Sequence, residues 1–184
     1  DSALLSEVKD RADAEFTILK QGLDRAKAAY DAALEDRLIT TRDYYAAKTA
    51  IEQREIDAEI ARAQALLAEQ QRIAAKGKDE SERIRARGEV AKLEAELIAL
   101  NDKRAAVEQA NARASAKAER ELADALADAR LKLAELTGTA TDADRRAAVE
   151  RAYRDLRAQL ANDPAAVEII DKLISVEAAQ RNLQ

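Results

Sequence analysis

Apolar residues recur along this chain at steps of three and four, with charged and polar residues between them. This spacing places the apolar side chains on one face of an α-helix, and a repeat that holds over many turns is typical of coiled-coil helices. Breaks in the pattern divide the chain into five predicted helices. They cover residues 2–36, 41–75, 80–136 and 142–161, and a last stretch that begins at residue 164.

One line of side chains in each of the long helices forms a predicted seam with a neighbouring helix. In the first helix the line is Leu5, Val8, Ala12, Phe16, Leu19, Leu23, Ala26, Tyr30 and Ala33. In the second it is Ile56, Ile60, Ala63, Leu67, Gln70 and Ala74. In the third it runs from Val90 through Leu93, Leu97, Leu100, Arg104, Val107, Asn111, Ala114, Ala118, Leu122, Ala125, Ala129, Leu133 and Leu136. The fourth helix is predicted to use Ala148, Ala152, Leu156 and Leu160.

The break after the first helix carries the most specific local signal. Thr40 can be the N-cap of the second helix, accepting a hydrogen bond from the amide of Asp43, while Asp43 reaches back to the amide of Thr40. Ile39, just before the cap, and Tyr44, one turn later, are placed for a hydrophobic staple. The chain therefore turns just before Thr40, and the first two helices form an antiparallel hairpin.

Three further breaks have recognisable residues. Gly77 fits the left-handed position after a helix, and Asp79 fits the next N-cap. The alternative is that Gly77 is tolerated inside one continuous helix. Gly138 ends the third helix, Thr141 caps the fourth, and Pro164 occupies the first turn of the fifth. A glycine inside the first helix, Gly22, is interpreted as the mark of a close contact.

We therefore predict an all-α fold of long amphipathic helices in antiparallel coiled-coil hairpins, with a smaller C-terminal helical pair. The predicted parts are a hairpin over 1–76, a long helix over 79–137 and a two-helix segment over 141–184. Composition agrees, because 184 residues contain one Pro, four Gly and five aromatic residues. So few aromatic side chains fit narrow seams between helices better than a thick core.

Two polar residues fall on the seam of the third helix, Arg104 and Asn111. A polar residue at such a position often fixes the register or oligomeric state of a coiled coil. The alternative is a seam that is locally open to solvent. On the outer faces, acid-before-base pairs four residues apart are expected to support single helices. They are Glu7–Arg11, Asp79–Arg83, Asp128–Lys132, Glu150–Arg154, Glu168–Lys172 and Glu177–Arg181.

Charge and composition argue against several functional classes. The net charge is −5, and the acids and bases are interleaved, which disfavours nucleic-acid binding. The apolar runs are too short for a bilayer span. The chain has no His and no Cys, so we expect no enzyme, no cofactor and no common metal site. The acids Glu52, Glu55, Asp57 and Glu59 suggest at most an all-carboxylate site for Mg²⁺ or Ca²⁺.

The segment Leu38-Ile39-Thr40-Thr41-Arg42-Asp43-Tyr44-Tyr45, with Tyr30, Leu34, Lys48 and Ile51, resembles one that recurs in phage tail tape-measure proteins. In those proteins a helix ends in Leu-Ile-Thr or Leu-Ile-Ser, and the next begins with an acid and a Tyr-Tyr pair. The resemblance covers residues 26–62 and returns more faintly over 165–183. It implies a structural coiled-coil segment in the virion tail that sets tail length. Its partners would be other copies of itself and tail-tube proteins.

Two other classes of function fit the periodicity. One is a helical-hairpin adaptor or spacer in another assembly, such as a secretion or cytoskeletal protein. The other is an amphipathic lipid-associating bundle, which the absence of Trp, the single Phe and the negative charge disfavour. Outside a virion we expect a soluble segment with no membrane partner. The chain starts at Asp1 and contains no Met, which predicts a piece of a longer protein.

Overall fold

The computed structural model describes residues 2–184, and about 90% of the chain is helical. The elements are α1 (Ser2–Glu35), α2 (Thr41–Lys76), α3 (Glu80–Leu136), α4 (Asp142–Gln159) and α5 (Pro164–Asn182). No strand occurs in this described part of the chain. The all-α prediction is confirmed, and the helix packing agrees with antiparallel hairpins.

The chain forms two compact units. The first ends at Lys117, and the second spans Ala118–Gln184, so the division falls inside α3. The first unit therefore contains α1, α2 and the first two-thirds of α3. The second contains the rest of α3 together with α4 and α5.

In the first unit, the predicted seam of α2 is confirmed, and that of α1 is confirmed except at Tyr30, which is 40% exposed. Ala12 and Leu23 are buried on α1, and the α2 seam meets α3 in one apolar cluster. The cluster consists of Ile56, Ala63, Leu93 and Leu100, with Ile60, Leu66, Leu67, Leu97 and Val107 packed against it. These are the side chains that a three-and-four repeat brings to one helix face. α2 thus packs against both of its neighbours in sequence.

The predicted seam of α3 is correct as far as Ala118 and wrong beyond it. Leu122, Ala125, Ala129, Leu133 and Leu136 are all exposed. The reason is a change of partner, because this part of α3 packs against α4. It does so through a different face, on which Asp124, Ala127, Leu131 and Ala134 are half-buried. The outer line Leu122, Leu126, Ala129, Leu133 and Leu136 is left uncovered, and we call it the exposed leucine seam.

The second unit has a small core between α4 and α5. Val149 is fully buried, and Ile170, Ile174 and Ala178 of α5 surround it, with Tyr153 and Leu160 packed against the cluster. The predicted use of Ala152 and Leu156 is wrong, since both are exposed. α4 meets α5 with Val149 and Tyr153, and that orientation leaves Ala152 and Leu156 on the outside.

The turn after α1 uses an unusual residue. Arg37 has φ 58°, in the left-handed region that favours glycine. The amide of Leu38 donates to the carbonyl of Ala33 at 2.8 Å, and the amide of Arg37 donates to that of Leu34 at 3.0 Å. These two bonds make a Schellman motif, which satisfies carbonyls at the helix end. α3 ends in the same way, with Gly138 at φ 73°.

The second turn lies where it was predicted, but Gly77 serves it differently. Its φ is −58°, so the predicted left-handed position is wrong. A Cβ atom at Gly77 would stand 2.7 Å from the carbonyl oxygen of Ile73, so glycine is needed for close approach. Asp79 caps α3 as predicted, accepting from the Glu82 amide at 2.7 Å. At Gly22 the expected close contact is wrong, because an added Cβ would meet nothing within 4 Å.

Gly77→Ala is expected to destabilise the protein by about 1–3 kcal/mol, the usual cost of forcing an atom into a packed site. Gly22→Ala is the matched control. It should stabilise by about 0.5–1 kcal/mol, because alanine is the better residue inside a helix and open space surrounds the new methyl group. Urea unfolding followed by circular dichroism measures both changes. Shifts of the same sign in the two variants would contradict this account of Gly77.

Candidate functional site

Two of the four predicted turn residues, Ile39 and Thr40, lie between α1 and α2, and the other two, Asp43 and Tyr44, lie in the first turn of α2. Thr40 is the N-cap of α2, and its hydroxyl oxygen accepts from the amide of Asp43 at 3.1 Å. Within the described chain a full capping box, with the reciprocal bond, forms at the Thr141 cap and not at Thr40. Ile39 and Tyr44 are both half-buried beside the turn. Their role as a hydrophobic staple stays a prediction.

Tyr44 joins the start of α2 to the end of α1. Its hydroxyl group donates to a carboxylate oxygen of Asp31 at 2.6 Å. This hydrogen bond, with a smaller effect of burial, raises the pKa of Tyr44 to about 12. The ring of Tyr45 stands edge-on to that of Tyr44 at 5.1 Å, and the amine of Lys48 lies 5.8 Å from the centre of the Tyr45 ring. The aromatic pair is thus used within the hairpin.

Three polar pairs define the register of α1 against α2. They are Asp13–Arg62 at 3.6 Å, Lys20–Glu55 at 3.7 Å and Asp31–Tyr44 at 2.6 Å. Each advance along α1 is matched by an equal step back along α2, so one antiparallel register satisfies all three. The steps are seven and then eleven residues, which return to nearly the same face of a helix. The Arg62 guanidinium also lies 4.4 Å from the centre of the Phe16 ring.

Arg104 and Asn111 both lie against α2. The guanidinium of Arg104 donates to Asp57 at 2.8 Å, and this bond holds the pKa of Arg104 above its ordinary value. Asn111 is only 5% exposed, and its side-chain amide donates to Glu52 at 3.4 Å. A buried amide with its partner on the facing helix is what a register role requires. That role stays a prediction for both residues.

The acids of α2 do not converge on one point. Glu52 contacts Lys48 on its own helix at 3.7 Å and Asn111 on α3. Glu55 pairs with α1, and Asp57 pairs with α3. Over residues 2–184, no group of three or more Asp, Glu, His or Cys side chains is placed to hold a metal ion. Glu52, Glu55 and Asp57 each bind a side chain of a neighbouring helix.

The second unit is also joined by polar pairs between helices. α4 meets α3 through Arg154–Asp124 and Arg151–Asp128, each at 2.9 Å, and Arg145–Glu135 at 3.8 Å, and meets α5 through Arg157–Asp171 and Tyr153–Glu177, each at 2.8 Å. The pairs again step in opposite directions along neighbouring helices. The hydrogen bond that Arg157 donates holds the pKa of Asp171 below its ordinary value, and the one that Tyr153 donates to Glu177 raises the pKa of Tyr153.

Sequence reasoning looked for acid–base pairs within single helices, and it assigned Asp128, Arg154 and Glu177 to such partners, so it missed the pairs between helices. Glu7–Arg11 and Glu168–Lys172 are confirmed, at 3.5 and 3.4 Å. The other four predicted pairs are replaced by capping or by contacts with new partners. For example, Asp128 contacts α4, and Glu150 pairs with Arg146 at 3.0 Å. A search for acids and bases at matched steps on adjacent helices would have given a usable signal.

A groove between α4 and α5 is lined by several arginines, including Arg146, Arg154 and Arg157. Each of the three has a carboxylate partner within 3.0 Å. An anion would have to displace those carboxylates, so this groove is a closed network of ion pairs. Its side chains position the helices of the second unit.

The chain has no match among the protein-family models, the curated proteins or the solved structures with which it was compared. No helix within residues 2–184 has both the length and the apolar character needed to cross a membrane. The polar pairs between distant parts of the chain join one helix to the next in both units.

Thr40→Ala is expected to cost about 1 kcal/mol of stability through loss of the N-cap bond. Thr17→Ala is the matched control, because Thr17 lies inside α1 and its hydroxyl only donates back to the carbonyl of Asp13. Alanine is the better helix former, so that variant should be unchanged or slightly more stable. Urea unfolding at neutral pH compares them. Equal midpoints for the wild type and Thr40→Ala would contradict the assigned cap.

Tyr44→Phe is expected to cost about 1 kcal/mol near neutral pH by removing the bond to Asp31. Since the folded state raises the pKa of Tyr44 from 10 to about 12, this contribution is complete below pH 10 and is lost as pH rises through about 12. The two proteins should therefore converge in alkaline solution. Urea unfolding over a pH series measures this, with Tyr45→Phe as the control. A difference that does not depend on pH would refute the prediction.

Proposed function

We propose that this chain is a structural coiled-coil segment of a phage tail tape-measure protein, which sets tail length during tail assembly. One observation carries the proposal. The polar pairs between helices hold long helices against one another. They therefore support helix length, which is the property that a ruler uses. The resemblance over residues 26–62 adds the specific class of protein. The proposal assigns the chain no catalytic activity.

The mechanism rests on helix geometry. Each helical residue adds about 1.5 Å along the axis, so the number of residues encodes a length. A ruler of this kind needs long helices with few breaks, and α3 alone has 57 residues. In the tail, the partners of the chain would be other copies of itself and the tube proteins around it.

The hairpin of α1 and α2 has to be reconciled with an extended ruler. The ion pairs that join the two helices are partly exposed: Lys20 and Asp13 keep 47% and 45% of their side-chain surface, and their partners keep 29% and 32%. Exposed pairs of this kind contribute little stability each, about 0–1 kcal/mol. The hairpin can therefore either open lengthwise in the tail or persist as a folded domain of the longer protein. Tail length distinguishes the two forms.

A second function, as a helical adaptor or spacer in another assembly, is favoured by the exposed leucine seam. A ruler that acts only through its length has no use for an uncovered heptad stripe. An adaptor would use such a stripe to hold a helix of a partner.

The proposal is tested in the parent phage by deleting residues 41–138 in frame and measuring tail length by electron microscopy. The deletion removes 98 residues, a whole number of heptads, or about 147 Å of fully extended helix. We expect tails shortened by about that amount if the helices are extended in the tail. A much smaller shortening would indicate a ruler in which this segment stays folded.

Duplication of residues 41–138 is the matched control, because it changes length in the opposite direction while leaving every native segment present. It should lengthen the tail by the amount that the deletion removes. Tails of normal length in both mutants would overturn the ruler function and leave the adaptor as the better proposal.

A further inference from the structure

The exposed leucine seam is a regular heptad stripe without a partner. Leu122, Leu126, Leu133 and Leu136 keep 51–77% of their surface exposed, and Ala129 lies between them. Their spacing of four, three, four and three residues is that of the d and a positions of a coiled coil. The central alanine allows a second helix to approach closely.

The opposite face of the same helix is already in use. Asp124 and Asp128 form ion pairs with α4, and Leu131 is half-buried between them and the end of the helix. These residues are about half a turn from the leucines around the helix axis. The seam therefore faces away from α4. The ion pairs with α4 fix the orientation of this part of α3, so its leucines are free to contact another helix.

The charged residues at the e and g positions of the seam are both basic. Arg130 follows the central alanine at an e position, and Lys132 precedes Leu133 at a g position, so the two lie on opposite flanks. Both are exposed, and in the described chain neither forms an ion pair or a hydrogen bond. The remaining flanking positions are Ala123, Ala125 and Thr137. Two acids of this part of α3 lie outside these positions and pair with α4, Asp128 with Arg151 and Glu135 with Arg145.

We propose that the exposed leucine seam binds an amphipathic helix of another protein, with apolar residues at a and d and Glu or Asp at its flanking positions. Charge complementarity selects this partner over a second copy of the chain. In an antiparallel pair of copies, e faces e and g faces g, so like charges would meet. In a parallel pair, Arg130 would face Ala125 and Lys132 would face Thr137. An acidic helix is the partner that complements both cations.

The stripe covers about two heptads, which is short for a permanent coiled coil. We therefore expect a transient interaction with a Kd in the micromolar range. Because Arg130 and Lys132 are exposed, the affinity should fall as salt is raised above physiological ionic strength. This inference does not depend on the ruler function, since it concerns one face of α3 and makes no use of tail length.

The probe is a fluorescent synthetic peptide of four heptads with Leu at a and d and Glu at e and g. A matched peptide carries Lys in place of each Glu. Neither pairs with itself, because its own flanking charges repel. Fluorescence anisotropy with the full 184-residue chain should show binding of the Glu peptide at least about ten-fold tighter than that of the Lys peptide.

Two variants of the chain sharpen the test. Leu126→Gln should weaken binding of the Glu peptide by about ten-fold or more, because it places an amide in the seam. Its control is Ile98→Gln, which alters another exposed aliphatic residue of α3, 66% exposed, outside the seam. The double substitution Arg130→Glu with Lys132→Glu should reverse the preference and favour the Lys peptide. All of these positions are exposed, and circular dichroism checks that each variant folds.

Four results would overturn the proposal. They are failure of the Glu peptide to bind, equal binding of the two peptides, self-association of the chain that Leu126→Gln abolishes, and binding to phosphatidylserine-containing vesicles that the same substitution abolishes. The third would assign the seam to a second copy, measured by sedimentation velocity. The fourth would assign it to a lipid surface, measured by vesicle flotation. Reversal of peptide preference by the charge substitutions would support the acidic helix.

Discussion

The narrowness of the apolar stripe on each helix is the constraint on which this structure depends. With one Phe, four Tyr and no Trp or Met, the helices cannot build a thick core. They pack instead along single lines of Ala, Leu, Ile and Val, and among the described residues only Val149 is completely buried. Each helix can then cover one side of a neighbour. A middle helix, α2 in the first unit and α4 in the second, meets both of the others.

Polar pairs supply the specificity that such stripes lack. A line of alanines and leucines looks much the same after a shift of one heptad, so apolar packing alone leaves the register open. Asp13–Arg62, Lys20–Glu55 and Asp31–Tyr44 are satisfied together in one register and lost together in any other. Because these pairs are partly exposed, their main effect is on register, and their effect on stability is small.

The same arrangement connects the structure with the functions proposed for it. In this chain many polar groups serve packing between helices. The features left for function are the length of the helices and their exposed surfaces. α3 combines both, because one part lies against α2 and another part lies against α4 with its leucines outward. The length supports a role as a ruler, and the uncovered leucines support a role as a docking surface.

The helices and their ends were determined by the sequence itself, because the signals are local. Thr40, Asp79 and Thr141 cap from within one turn, Pro164 starts α5, and the three-and-four repeat marks the buried faces of α1 and α2. These features depend on neighbours a few residues away, so they can be read without knowing the fold.

The choice of partner for each face was decided only by tertiary structure. Beyond Ala118, α3 has two faces with helical spacing, and the one containing Leu131 is covered because α4 brings Arg151 and Arg154 to the acids beside it. The left-handed conformation at Arg37 likewise could not be predicted, because no glycine occupies that position. For α3, the deciding contacts join residues that are distant in the sequence. For Arg37, the conformation follows from the reversal of direction between α1 and α2. Helical periodicity carries no information about either.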